Sequence, residues 1–142
     1  MTIALPVALT TAAACALINF WLATRILKIR IKQGIAHGDG GDSRMAARMR
    51  AHANFAEYTP IVLILIALIE LAVGTNLWLW LAGGAYVVAR ILHPIGMDGW
   101  MPARQTGTVG TFTAMILLAI AALAVPWLTP MKAQTVEIEQ PR

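Results

Sequence analysis

The chain has 142 residues, of which 58% are apolar and 13% charged, with a mean hydropathy of +0.68. A soluble domain is about 45–50% apolar and about 25% charged, so disorder, collagen-like repeats and most small water-soluble folds are excluded. The net charge is +4, but most basic residues fall in one short stretch beside apolar runs, which points to a membrane surface rather than nucleic acid.

A membrane-spanning helix needs about 20 mostly apolar residues. Residues 1–24 carry no charge and predict a first helix near 3–27. No basic segment precedes it, and Ala12-Ala13-Ala14-Cys15 lacks the leucine of a lipoprotein cleavage site, so a retained helix is expected rather than a signal peptide. Cys15 is the single cysteine and reads as a small apolar residue inside this helix. Neither a disulfide nor a zinc cluster is suggested, and no metal site is expected.

Arg25, Lys28, Arg30 and Lys32 follow, then the turn sequence His37-Gly-Asp-Gly-Gly-Asp42, whose glycines permit positive φ. It lacks the lysine and Ser/Thr of a phosphate-binding loop. Asp42 or Ser43 is placed to cap the next helix. Arg44, Arg48 and Arg50 lead into a second apolar run, expected as a helix near 47–73. Gly74-Thr75-Asn76 reads as a tight turn. A third helix is expected near 77–96 and a fourth near 106–128, with 129–142 a polar, frayed tail. The whole suits one domain. The fold class is an all-α integral membrane protein, a bundle of four transmembrane helices, because so short a chain cannot close a barrel in hydrocarbon.

Lysine and arginine concentrate after the first helix and around the third connection, flanked by Arg90 and Arg104. The positive-inside rule puts both basic connections in the cytoplasm and both termini outside. Trp78, Trp80, Trp100 and Trp127 suit interfacial aromatic belts, with Trp21 also near a membrane end. Gly83-Gly84 and the alanine-rich face of the last helix allow close packing.

The most informative segment is Arg50-Ala-His-Ala-Asn54-Phe-Ala-Glu57-Tyr58-Thr-Pro60. Arg50, Asn54, Glu57 and Tyr58 stand at i, i+4, i+7 and i+8, on one helical face. Glu57 lies roughly 10 Å beyond Arg50 along the axis, so an interfacial Arg50 puts an ionisable group inside the apolar slab, where such groups face a partner or a wet cavity. From the residues alone two readings are balanced: a polar seam that glues helices together, with Glu57 on a nearby arginine, or a site for a ligand with carboxylates, an ammonium group and amides. Arg90 is expected either to pair with Glu57 or to reach headgroups. His93 is expected as a satisfied interhelical histidine. His37 and His52 are expected at the interface or in solvent. Glu70 is expected to snorkel or to meet a neighbouring protomer, and Arg104, beside Pro102, could simply anchor to headgroups.

This segment resembles the second-helix signature R-A-x-x-N-x-x-E-Y-x-P of the MAPEG family, the membrane-associated proteins in eicosanoid and glutathione metabolism. The resemblance extends through the basic end of the first helix, the four-span layout and the Arg90 to Arg104 region, and is to the bacterial branch. It implies homotrimers of four-helix protomers with glutathione, as co-substrate, held between neighbouring protomers near the cytoplasmic side. Position by position, Arg50, Asn54, Glu57 and Tyr58 match the family's glutathione contacts, and Arg104 matches the arginine beside the sulfur. Arg30 and Lys28 both remain open as the basic contact from the first helix. Arg90 and His93 are further expected contacts. Relatives often carry tyrosines where this chain has His93 and Met97; His93 can still hydrogen-bond, whereas Met97 cannot replace a phenol.

The expected chemistry is activation of a thiol. Arginine stays charged at any working pH, and a cation beside sulfur favours the reactive thiolate. The implied function is a membrane-bound glutathione-dependent transferase, and in addition a peroxidase, acting on a lipophilic electrophile within the membrane lipids. The alternative is a non-catalytic lipid-binding or scaffold protein of the same fold, since fold does not fix chemistry. A small transporter is a third reading, without repeats to support it. A bacterial inner membrane is the expected location.

Overall fold

The computed structural model describes residues 4–128. These form four helices: α1 (Pro6–Gln33), α2 (Ser43–Val73), α3 (Leu77–Met97) and α4 (Met101–Leu128). The tail expected at 129–142 lies outside the described residues. No strand occurs among the described residues. Helices α1, α2 and α4 are each long and apolar enough to cross a bilayer. Helix α3 has 21 residues, about 31 Å at 1.5 Å per residue, but Arg90 and His93 interrupt its apolar run.

The helices outrun the apolar segments. α1 continues through its basic end to Gln33 and stops where Gly34 adopts a left-handed φ of 68° and donates to the Arg30 carbonyl. Glycine pays no Cβ penalty in that conformation. α2 begins at Ser43 because the Asp42 side chain accepts from the Met45 amide at 2.9 Å, an N-cap bond that satisfies an otherwise free helix donor. Gln33 donates to the other Asp42 oxygen at 2.6 Å. The Gln33 bond first, then the Met45 bond, holds the Asp42 carboxyl below the usual carboxylate range. Asn76 caps α3 through the Leu79 amide at 3.0 Å. Pro60 stands inside α2 without ending it.

Helices α2 and α3 each touch all three other helices, and α3 makes the larger contact. It packs most extensively on α4 and also meets α1 and α2, while α1 and α4 do not touch. The α3–α4 hairpin is tight because glycines face backbone. A Cβ on Gly96 would fall on the backbone of Arg104, and one on Gly107 would stand 2.8 Å from the Ala89 carbonyl. Gly83 plays the same part against Thr11 of α1, where a Cβ would lie 2.7 Å from the hydroxyl. Its neighbour Gly84 faces open space. The apolar core runs through the bundle from Val7, Cys15, Ile18 and Leu22 to Phe55, Val62, Ile66, Leu79 and Leu118.

Two acid contacts lock the ends of the bundle, one buried at Glu70 and one at the exposed Asp98. At the α1 start, Glu70 is 2% exposed and accepts from the amides of Val7 and Ala8 and the hydroxyl of Thr75. The expectation that Glu70 snorkels or meets another protomer is therefore corrected. The first amides of a helix have no partner within it, and the turn after α2 brings this carboxylate onto them. At the other end, Asp98 accepts from Arg25 of α1 and from Arg48 of α2, the latter at 3.2 Å. Arg25 also reaches the Pro94 carbonyl at the end of α3 and lies over the Trp21 ring.

Candidate functional site

Helices α2 and α4 run parallel, because α3 returns the chain between them. Tyr58 of α2 meets Phe112 of α4 edge to face, with ring centroids 5.4 Å apart. This contact fixes the relative level of the two helices. Arg50 lies eight residues before Tyr58, and Arg104 lies eight residues before Phe112. Each arginine is thus about 12 Å from the aromatic pair along its own helix, and the two stand at matching depth. On α4, Arg104, Thr108 and Phe112 follow one another at i, i+4 and i+8 along one ridge.

Between the arginines and the aromatic pair the polar groups of α2 divide. Arg50 Nη1 pairs with Glu57 Oε1 at 3.2 Å, with side chains 65% and 45% exposed. This pair sits on a face otherwise carrying exposed Ile61, Ile64 and Leu68. Asn54 turns inward, and its Oδ1 accepts from Arg90 Nη1 at 3.1 Å. Arg90 neither pairs with Glu57 nor reaches headgroups. It is 1% exposed, donates also to Thr111 at 3.2 Å, and lies over the Phe55 ring. The register explains the correction: Glu57 sits about 60° around α2 from Asn54, on the outer side, while α3 faces the inner side. Nε and Nη2 of Arg90 are buried without a partner among the described residues.

His93 is buried, with Nδ1 at 3.2 Å from the Thr108 hydroxyl, which itself donates to the Arg104 carbonyl at 2.8 Å. It is an interhelical histidine, as expected. The Arg104 side chain is exposed at the start of α4. Arg30 and Lys28 lie elsewhere. Arg30 donates to the Ala36 carbonyl at 2.9 Å and borders, with Met49, His52 and Ala53, a groove of about 370 Å³ between α1 and α2. Lys28 is exposed. His52 is two residues from Arg50, hence about 200° around α2, and its Nε2 lies 2.8 Å from Asn19 Oδ1. The residues singled out from the sequence therefore occupy two faces of the bundle. Arg50, Asn54, Glu57, Tyr58 and Arg104 border the α2–α4 side; Arg30 belongs to the α1–α2 side.

Sequence reasoning missed Asp98, Asn19, Thr111 and Phe112. Only Asp98 carried a signal, as the sole acidic residue between Glu70 and Glu137 in a strongly basic neighbourhood. Among the described residues no group of His, Cys, Asp or Glu could hold a metal ion.

A polar seam set into a four-helix bundle with spans long enough for a bilayer defines an integral membrane protein. Its sequence matches the profile of the MAPEG family over residues 8–124. It is 30% identical over 108 residues to the inner membrane protein YecN of Escherichia coli K12, covering 72% of this chain and 79% of that protein. The YecN protein of E. coli strain CFT073 matches equally. The chain belongs to the MAPEG family.

Proposed function

We propose that this protein is a glutathione-dependent transferase that conjugates lipophilic electrophiles, and reduces lipid hydroperoxides, at a bacterial inner membrane. The observation that carries this reading is the matched level of Arg50 and Arg104 above the Tyr58–Phe112 contact, with Glu57 and Asn54 between. A tripeptide with two carboxylates, an ammonium group and a thiol finds complementary groups there: guanidinium for carboxylate, Glu57 for ammonium, and an exposed cation for sulfur. The thiol releases its proton to water, and Arg104, already charged, holds the resulting thiolate, in a low-dielectric site more strongly than in water. The sulfur then bonds to the electrophilic carbon as the leaving group departs with its electron pair.

The same geometry supports a homotrimer with glutathione between protomers. An exposed Arg50–Glu57 pair on an apolar face is costly in lipid, and a neighbouring protomer covers it. Arg30, on the α1–α2 side, reaches such a ligand only from an adjacent copy, whereas Lys28 lies about 200° around α1 from it. Orientation follows the basic residues: both basic connections cytoplasmic, both termini outside.

A second reading, a lipid-binding protein without turnover, draws on the crevice of about 450 Å³ between α3 and α4, lined by Trp78, Ala82, Ala85, Gly110 and Leu117. Calorimetry with glutathione on the detergent-solubilised protein, followed by conjugation of an aromatic halide, separates the two. Binding with turnover supports the transferase. Binding without turnover favours the lipid-binding reading, and no binding removes the glutathione reading altogether.

A further inference from the structure

Arg90 has two nitrogens without acceptors, and no carboxylate pairs with it among the described residues. Its acceptors there are Asn54 Oδ1 at 3.1 Å and the Thr111 hydroxyl at 3.2 Å. Thr111 spends its own proton on the Gly107 carbonyl at 2.8 Å, so its lone pairs face the guanidinium. Arginine only donates hydrogen bonds, and an amide side chain has one accepting atom, its oxygen. The Asn54 amide therefore has one permitted orientation. A half-turn would set its NH2 group against the guanidinium, donor against donor, beside a buried cation already short of acceptors. Asn54 is only half-buried, and its Nδ2 makes no hydrogen bond among the described residues.

We infer that Arg90 is a positioning residue acting through Asn54, fixing its amide so that the ligand meets a hydrogen-bond donor at this point and must offer a carbonyl or carboxylate oxygen to it. This inference rests on the glutathione reading and adds which end of the amide the tripeptide meets and what holds it there. Arg90, sealed behind Asn54, selects the ligand group without touching it.

Asn54→Asp tests this. The carboxylate keeps, and by charge strengthens, the contact with Arg90, but presents an acceptor where the amide presented a donor. Glutathione affinity, measured by calorimetry on the detergent-solubilised full chain, should fall about tenfold or more, while the thermal midpoint holds or rises. Wild-type protein that binds glutathione together with an Asn54→Asp variant that binds equally well overturns the inference and leaves the glutathione reading standing. Wild-type protein that gives no heat overturns both. If Asn54→Asp does not fold, Arg90→Met serves: with the guanidinium gone the amide turns freely, and affinity should drop severalfold although the substituted residue lies behind the site. Unchanged affinity in that variant rejects the inference.

Discussion

Glu70, near the end of α2, caps the beginning of α1 across 63 residues of sequence: its Oε1 lies 3.0 Å from the Val7 nitrogen, and its Oε2 lies 2.8 Å from that of Ala8. A helix N-terminus carries partial positive charge and unpaired donors, so a buried carboxylate is the complementary group. Glu70→Gln keeps one accepting oxygen but sets an NH2 group against the second amide. The expected loss is about 2 kcal/mol, from one charge-assisted bond and an orphaned amide, read as a lower thermal midpoint with glutathione binding retained. Unchanged stability would reject the capping role.

Arg104→Ala should leave folding and glutathione affinity close to wild type and lower conjugation about 10²–10³-fold, the scale of one lost charge-stabilising donor. The bound thiolate, followed by its ultraviolet absorbance, should disappear in parallel. A turnover rate equal to wild type would reduce Arg104 to a headgroup anchor.

Asp98→Asn removes the charge that Arg25 and Arg48 share. The Arg25 side chain is 10% exposed and that of Asp98 30%, so a nearly buried guanidinium loses its counter-charge. The cost should be about 1 kcal/mol, because Asp98 itself is exposed and water screens the pair. It should separate α1 and α2 from α3 at that end, visible as faster amide exchange in residues 95–100.

Alanine scanning of the glycines gives an internal control. Gly96→Ala and Gly107→Ala push a methyl group into backbone across the α3–α4 contact. Each should cost at least about 1–3 kcal/mol by overpacking, and Gly96→Ala should also displace the start of α4 and with it Arg104. Gly84→Ala, where a Cβ meets nothing within 4 Å, should be neutral or slightly stabilising through its helix propensity. Thermal unfolding of the three variants in one detergent checks the order.

The Asp42 cap carries a pH dependence of known sign. The folded carboxyl is held below its ordinary range by Gln33 and the Met45 amide. Its contribution is therefore fully present above the ordinary carboxylate pKa and is lost as pH falls through the lowered folded value. Protection of the Met45 amide from exchange should fall on acidification through that window. In the Asp42→Asn variant, whose amide caps without titrating, that protection should stay level across the same window.

The amino-acid sequence by itself determined the membrane bundle. Uncharged runs near the length of a bilayer leave helix as the solution that satisfies every backbone group. It also located the polar face of α2, because a 3.6-residue period places Arg50, Asn54, Glu57 and Tyr58 without reference to any other helix. Helix ends were less legible, since apolarity marks where hydrocarbon stops, whereas Gly34 and Asp42 mark where the hydrogen-bonded helix stops. Only the tertiary structure decided the partners: Glu57 with Arg50 rather than Arg90, Arg90 with Asn54 and Thr111, Glu70 with the α1 amides, Asp98 with two arginines at once. Apart from Arg50 and Glu57, these contacts join residues 21 to 73 apart in sequence. Their formation depends on how α3 rotates between α2 and α4, which the close approaches of Gly96 and Gly107 fix and no local period records.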